Sequence, residues 1–477
     1  EQIREDGDTS LKTLINLDID ENRSLRPVGS EESEPKEKVK RRKDKHKEQV
    51  EEEHIIYSWK QLTEDGKNAI ALGDRQFIDA EVLGTDPAVI LYTSGTTGFA
   101  KGVVLTNRNI ADDLMMAPTI LNVNPEDIFF SVLPVHHTYE CTCAFLMPLY
   151  KGASIAFCEG LKYITKNLQE IRPTMLLGVP VLIETLYKRI WKTAKSEGKD
   201  KKLEKLMKLN KRTKKLNVNI AKKFAKDILD VFGGRMRVLI SGGAAIDPKI
   251  LQFFNDLGII AVQGYGLTEC SPMAALNPDV EKDMKNESVG HLLPGMKVKI
   301  VDADEDGIGE ICFKGPNVML GYYNNQEATD AVLKDGWFYT GDLGRVDTDS
   351  FIYITGRKKN VIITENGKNV FPEELEYELS HIPFIAESMV WGDTGDEGVN
   401  STTIAATVIL DEDELKEVLG EEYTDEQAQD LVWSEIDKIN EHLPLFKKIK
   451  KLNIRKDKFN KTTGMKIKRF VESNKDA

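Results

Sequence analysis

The 477-residue sequence predicts an α/β protein: a large layered α/β domain that includes a small β-rich lobe, followed by a smaller α+β domain. Three observations point there. From Ala88 to Leu257 short apolar runs alternate with helix-period segments, which is the pattern of a mostly parallel sheet layered with helices. Between Val298 and Thr355 short β-prone runs are separated by Gly and Asp turns, which reads as a compact β-rich lobe. Beyond Gly356-Arg357-Lys358-Lys359-Asn360 strands and helices resume as a fresh α+β unit, so a domain boundary is placed at 357–360. The expected organisation is a charged segment over 1–54, a large domain over 55–356 and a C-terminal domain over 357–477.

Residues 26–54 contain only Val28, Val39 and Val50 as large apolar residues within a run of Glu, Lys and Arg, so no core can form and disorder is expected. A helix is read over Glu64–Leu72. The runs Ala88–Tyr92, read as a buried strand, and Val103–Leu105 flank the string Thr93-Ser94-Gly95-Thr96-Thr97-Gly98-Phe99-Ala100-Lys101-Gly102. Thr106-Asn107 caps the next helix, which runs through Ile110 and Leu114. Strands over Ile128–Leu133, Ser154–Phe157, Met175–Val179 and Val238–Ser241 alternate with helices over Leu161–Glu170, from Pro180, and over Asp247–Leu257. Leu182, Leu186 and Ile190 share one stripe of the Pro180 helix. The β-rich lobe is read over Val298–Asp302, Gly309–Lys314, Trp337–Asp342 and Phe351–Thr355. The C-terminal unit then has strands at Val361–Thr364, Ser388–Trp391 and Thr402–Leu410, and helices over Pro372–His381, Asp413–Leu419 and Asp425–His442.

Composition limits the function classes. Hydrophobic residues make up 40% and charged residues 30%, and no apolar run is long enough to span a bilayer as a helix. Five cysteines at scattered positions form no disulfide framework, and Cys141 and Cys143, one residue apart, do not make a CxxC pair. Reduced thiols and a cytoplasmic setting are expected. The formal charge is −13, but Lys188–Lys226 holds 16 Lys/Arg against Glu197, Asp200 and Glu204, a local +13. Such a block suits either a solvated helical face or peripheral contact with anionic lipid. An acidic whole and the lack of interleaved aromatics argue against nucleic acid.

The Thr93–Gly102 string carries the chemistry. Glycine permits positive φ and close backbone approach, so successive N–H groups can converge on an anion, while hydroxyls and Lys101 add donors. A Walker A loop would need Gly-x4-Gly-Lys-Ser/Thr opening a helix, whereas Gly95 leads to Ala100-Lys101-Gly102 and a β-prone run. At this string the sequence resembles the adenylate-forming superfamily of acyl-CoA synthetases, adenylation domains and luciferases. Four further strings resemble it in the same order: Gln263-Gly264-Tyr265-Gly266-Leu267-Thr268-Glu269, Tyr339-Thr340-Gly341-Asp342-Leu343, Gly356-Arg357, and the terminal Lys466. In this family the lysine usually follows glycine directly; here Met465 intervenes after Gly464.

The resemblance implies roles residue by residue. Thr93, Ser94, Gly95, Thr96, Thr97, Gly98 and Lys101 would hold the ATP polyphosphate, and Gly243, Ala244, Tyr265 and Gly266 would line the nucleotide. Thr268 would contact the α-phosphate, Glu269 would hold Mg²⁺, and Asp342 with Arg357 would bind the ribose hydroxyls. Lys466 would bridge carboxylate and phosphate oxygens, where a fixed cation offsets the repulsion of two anions. Lys359 would be the hinge about which the C-terminal domain brings the Gly367 strand to the site for attack by CoA. His137 would close one side of the acyl carboxylate pocket, and Gly367-Lys368-Asn369-Val370-Phe371-Pro372 together with the lysine-rich region after Pro180 resembles bacterial long-chain fatty acyl-CoA synthetases. The implied reaction joins a fatty acid to CoA through an acyl-adenylate. A carrier-protein ligase, a non-catalytic acyl- or nucleotide-binding relative and a lipid-surface scaffold stay open as alternatives. Members of this family have a substantial lobe ahead of the phosphate loop, so an N-terminally incomplete chain with an exposed sheet edge and apolar surface is expected.

Overall fold

In the computed structural model the described residues are 14–16, 23–24, 55–93, 100–213, 230–364, 367–393, 402–461, 467–469 and 471–472. The expected disorder over 26–54 lies outside them, as does the end of the basic block beyond Thr213. The chain divides into two compact units, Glu1–Val82 and Leu83–Ala477. The first holds β1 (Leu14–Asn16), β2 (Arg23–Ser24) and β3 (Ile55–Ser58) in the order β1-β3-β2, and helix α1 (Trp59–Ala71). This helix starts earlier than expected because Ser58 caps it, its hydroxyl accepting the Gln61 N–H at 3.3 Å.

The second unit opens with β4 (Pro87–Thr93) and β5 (Lys101–Thr106), an antiparallel pair flanking Ser94–Phe99. Thr106 and Asn109 form a capping box that starts α2 (Asn107–Met116) directly from β5. β6 (Ile128–Ser131), a π-helix (Tyr139–Leu146), β7 (Ser154–Phe157), α3 (Ile164–Ile171), β8 (Met175–Gly178), α4 (Pro180–Ser196) and α5 (Asp200–Thr213) follow. Then come β9 (Val238–Ser241), α6 (Pro248–Leu257), β10 (Ile260–Gly266), β11 (Met273–Leu276) and β12 (His291–Leu292). These strands form one sheet in the order β12-β11-β10-β9-β8-β6-β7, parallel from β7 to β10.

Side-chain alternation along that sheet builds two cores. Phe129, Met175, Leu177, Val238, Ile240 and Val262 face one core. Their neighbours Phe130, Leu176, Leu239 and Ala261 face the other, against Leu168, Ile183, Leu186, Ile190 and Phe254 of the helices. With both faces covered, the strands read as unbroken apolar runs in sequence. On the Pro180 helix, Ile183 takes the buried place expected of Leu182, which is only partly buried.

The β-rich lobe consists of β13 (Lys297–Val301), β14 (Gly309–Lys314), β16 (Leu333–Lys334), β17 (Trp337–Val346) and β18 (Ile352–Arg357), with order β13-β14-β17-β16 and β18 also paired to β17. Between β14 and β16, β15 (Gly321–Tyr322) leaves the lobe to pair with β5, and α7 (Gln326–Val332) returns the chain. The small sheet β15-β5-β4 thereby corrects one expectation: Ala88–Tyr92 is no buried strand but an edge strand, with Ile90 37% and Tyr92 68% exposed. Nothing pairs with its outer side among the described residues.

Residues from Ile362 onward enclose a third core. They form the hairpin β19 (Ile362–Ile363) and β20 (Asn369–Val370), α8 (Pro372–Leu379), β21 (Ile385–Asp393), β22 (Thr403–Leu410), α9 (Glu412–Leu419), α10 (Asp425–His442) and β23 (Lys451–Arg455). β23 adds parallel to β22. Side chains tie this core to the sheet helices: Asp247, which caps α6, accepts from the Tyr377 hydroxyl at 3.3 Å and lies 3.0 Å from His381 Nε2.

Candidate active site

The site gathers where parallel strand β10 ends. A bulge at Tyr265/Gly266 turns the chain into a single helical turn, Thr268–Cys270, and Leu267 N–H closes the loop on the Pro272 carbonyl at 2.9 Å. Only glycine fits at 266, since a Cβ there would lie 1.8 Å from the Pro272 carbonyl oxygen. Thr268 and Glu269 therefore project at the carboxyl end of the sheet, the usual ligand edge of such folds.

Across from them, the β17–β18 register sets Asp342 opposite Arg357. The Arg357 Nε lies 2.8 Å from Asp342 Oδ1, and the Tyr265 hydroxyl donates to Oδ2 at 2.6 Å. Asp342 is buried, its own N–H donating to the Thr340 hydroxyl at 3.0 Å. Gly341, at φ +70°, makes the turn that allows this, and its N–H donates to Glu310 at 3.1 Å. Burial, followed by the adjacent Asp342 carboxylate, holds the Tyr265 phenol well above its ordinary pKa, so it remains a donor. Tyr265, Asp342 and Arg357 thus form one hydrogen-bonded corner.

A second cluster adjoins it. Thr93 and Lys101 stand opposite each other at the ends of β4 and β5. Ser94, Gly95, Thr96, Thr97 and Gly98 lie outside the described residues. The Lys101 ammonium sits 4.9 Å from the centroid of the Tyr322 ring, whose hydroxyl donates to Glu269 Oε1 at 2.8 Å. Burial, then Glu269, raises the Tyr322 phenol strongly, and Arg357 is near enough to counter part of that shift. Lys101, Glu269 and the Asp342–Arg357 corner are therefore neighbours. Glu269 is partly exposed and no cluster of three His, Cys, Asp or Glu occurs among the described residues. That donor set fits a hard cation held by one carboxylate, phosphate oxygens and water, and not an all-protein metal cage.

His137 and the Gly243-Ala244 loop meet through Tyr139. His137 is exposed in the turn after β6, and its Nδ1 accepts the Tyr139 N–H at 3.3 Å. The Tyr139 hydroxyl donates to the Ile240 carbonyl at 3.2 Å, and its ring lies against Gly242, where a Cβ would come within 2.8 Å. Gly243 follows at φ +85° and is exposed with Ala244. Next to Tyr139 in the chain, Glu140 is fully buried on the π-helix; Ser131 donates to Oε1 at 2.5 Å and Oε2 has no hydrogen-bond partner. Burial pushes its carboxyl up to about 7.

Gly367 lies exposed at the β19–β20 turn at φ +68°, its N–H donating to the Thr364 carbonyl at 2.8 Å. Lys466 lies outside the described residues; on either side of it Lys461 and Ile467 pair as an antiparallel bridge, and Arg469 binds Glu376 and the Val390 carbonyl. Sequence reasoning missed Tyr322 and Glu140. Glu140 sits in the His136-His137-Thr138-Tyr139-Glu140 run and Tyr322 in Gly321-Tyr322-Tyr323, and neither string has a spacing that separates a buried partner from an ordinary strand residue.

The sequence matches the AMP-binding enzyme family over residues 8–323. It is 32% identical over 331 residues to a long-chain-fatty-acid–CoA ligase, FadD15, of Mycobacterium bovis, covering 66% of this chain and 54% of that protein. It is 33% identical over 362 residues to the long-chain-fatty-acid–CoA ligase ACSBG2 of Rattus norvegicus, covering 71% of this chain and 54% of the other. The chain spans about half the length of the curated relatives it matches. Among solved structures, ATP-bound MatB from Rhodopseudomonas palustris superposes with a TM-score of 0.64 at 27% identity, over 86% of this chain and 72% of that one.

Proposed function

We propose that this chain, which belongs to the AMP-binding enzyme family, is the adenylate-forming part of a long-chain fatty acid–CoA ligase. The observation that carries this reading is the joined pair of clusters, Tyr265–Asp342–Arg357 and Lys101–Tyr322–Glu269, at the carboxyl end of the sheet. Its relatives of about one-third identity are named as long-chain fatty acid–CoA ligases, which supports the choice of acid.

In this account Thr93–Lys101 and its hydroxyls take the polyphosphate of ATP, and Tyr265, Gly266, Gly243 and Ala244 take the base. Asp342 accepts from the ribose hydroxyls while Arg357 holds its carboxylate in place. A Mg²⁺ ion held at Glu269 would neutralise charge on the phosphates. Thr268 steadies the α-phosphate, His137 bounds the acyl carboxylate, and Lys466 offsets the charge that builds as the carboxylate attacks the α-phosphorus and pyrophosphate leaves. CoA thiolate then attacks the acyl carbonyl carbon and AMP departs. No protein nucleophile is needed. We place the large domain at 55–356 and the C-terminal domain at 357–477. The C-terminal domain turns about Lys359 to exchange Lys466 for the Gly367 hairpin. Lys359 is exposed, and its pKa is lowered by partial desolvation first and then by the neighbouring Arg357 and Arg469 cations.

Among the described residues no helix is long and apolar enough to cross a membrane. Exposed Lys201, Lys202, Lys205 and Lys208 on α5 support peripheral contact with anionic lipid, in a cytoplasmic setting and without nucleic acid as a partner. The test is pyrophosphate release with Mg·ATP and acetate, octanoate or palmitate. Release is expected to be greatest with palmitate, and AMP turnover to require CoA. Turnover that requires a carrier protein instead moves the assignment to the carrier-protein ligases, and no release with any acid contradicts it.

A further inference from the structure

Lys101 and Glu269 carry opposite charges beside the same tyrosine, yet they form no ion pair with each other. A direct pair would neutralise the two groups that polyphosphate and cation need, and would have to be broken on binding. Tyr322 stands in its place: the hydroxyl takes Oε1 of Glu269, and the ring face takes the ammonium. The other Glu269 oxygen remains for a cation.

Tyr322 is itself tightly held. Gly321 and Tyr322 pair with Val104 and Val103 of β5, and the Tyr322 N–H donates to the Thr329 hydroxyl at 2.9 Å. Gly321 adopts φ +155°, and a Cβ there would meet Thr329 Cγ2 at 2.9 Å, so the approach of α7 to this strand requires glycine. The flanking amides reach both sides of the site. Met319 N–H donates to the Glu269 carbonyl at 2.8 Å, Leu320 N–H to Val104 at 3.0 Å and Tyr323 N–H to Gly102 at 2.7 Å. Asn317 adds side-chain bonds to the Cys270 and Met273 carbonyls at 2.9 and 2.6 Å. Residues 317–323 are thus a strap that fixes the Lys101 strand to the Glu269 turn, with Tyr322 as the side chain that reads both.

We propose that Tyr322 is a positioning residue that presets the Glu269 carboxylate toward a divalent cation and the Lys101 ammonium toward the nucleotide polyphosphate, holding the two charges apart until both ligands arrive. This rests on the reading of Glu269 and Lys101 given above. It separates two contributions that single substitutions can resolve, because Tyr322→Phe removes only the hydroxyl whereas Tyr322→Leu removes the ring as well.

The test measures ATP binding to the 477-residue chain by calorimetry with no acid present, in EDTA and in Mg²⁺, and Mn²⁺ bound to the ATP complex by electron paramagnetic resonance. A hydrogen bond to a charged group corresponds to roughly a tenfold change in affinity. For Tyr322→Phe the expected result is a roughly tenfold loss of Mg·ATP and Mn²⁺ affinity with metal-free ATP binding unchanged. Tyr322→Leu should weaken metal-free ATP binding as well, through Lys101. Tyr323→Phe, in the adjacent half-exposed tyrosine, should change neither. Equal losses with and without metal in Tyr322→Phe would show a merely structural role and overturn the proposal, as would no loss at all. A wild-type chain that binds ATP in neither condition would remove the reading of Glu269 and Lys101, and this proposal with it.

Discussion

Asp342 within β17 and Glu140 on the π-helix are both buried carboxylates, and their surroundings treat them in opposite ways. Asp342 has a guanidinium at 2.8 Å, delivered by the register of β18 on β17, and a phenol hydroxyl at 2.6 Å, delivered by the end of β10 in the large sheet. Glu140 is equally buried but has only neutral donors, the Ser131 hydroxyl and the Val132 and Leu133 backbone, and burial outweighs them and pushes it up to about 7. The difference lies in the partner that the fold brings to each: a cation beside Asp342, and only neutral donors beside Glu140. The corner that is proposed to grip ribose keeps a charged partner, whereas the turn that is proposed to bound the acyl carboxylate runs into a buried carboxyl raised to about 7.

Breaking the first member should have the largest effect. Arg357→Ala leaves Asp342 buried beside Tyr265 alone, and loss of one partner of a buried pair costs about 3 kcal/mol, the lower end of the usual range because Arg357 is 36% exposed. Urea unfolding measures this; a loss below about 1 kcal/mol would mean that the pair does not hold the corner. Glu140→Gln sharpens the second member through pH. Below about 4.5 the carboxyl is protonated in both folded and unfolded chains, and between there and about 7 the unfolded chain releases its proton while the folded chain keeps it. Stability therefore falls as pH rises through that window, by about 1.4 kcal/mol per unit and about 3 kcal/mol in all. The Glu140→Gln variant lacks this term, so wild type should lose ground to it between pH 4.5 and 7.5, and parallel stability profiles would contradict the raised carboxyl. The smallest effect is expected at Lys195–Glu417, an exposed pair at 3.1 Å joining α4 to α9. Lys195→Ala should change stability by no more than about 0.5 kcal/mol, measured the same way.

Much of this was legible in the chain because the informative features are local. Strands covered on both faces read as apolar runs, which is how Met175–Gly178 and Val238–Ser241 stand out. The Asp425–His442 helix opens with a Thr424/Gln427 capping box that sequence displays directly. Gly266, Gly341, Asp342 and Arg357 stand in strings whose turns need glycine, and the structure joins Asp342 and Arg357 by register. What was not legible depends on distant partners. The exposure of β4 follows from its edge position, the strand Lys451–Arg455 exists because β22 accepts it, and Tyr322 matters because β15 crosses from the lobe to β5. The π-helix at Tyr139–Leu146 carries no residue pattern distinct from an α-helix.

The central claim is that this site joins a fatty acid to AMP before any thiol is involved. Mass spectrometry of the chain incubated with Mg·ATP and palmitate, first without CoA and then after its addition, tests this directly. The account predicts palmitoyl-adenylate in the first stage, converted to palmitoyl-CoA and AMP in the second. Absence of the adenylate, or formation of ADP in its place, would contradict it.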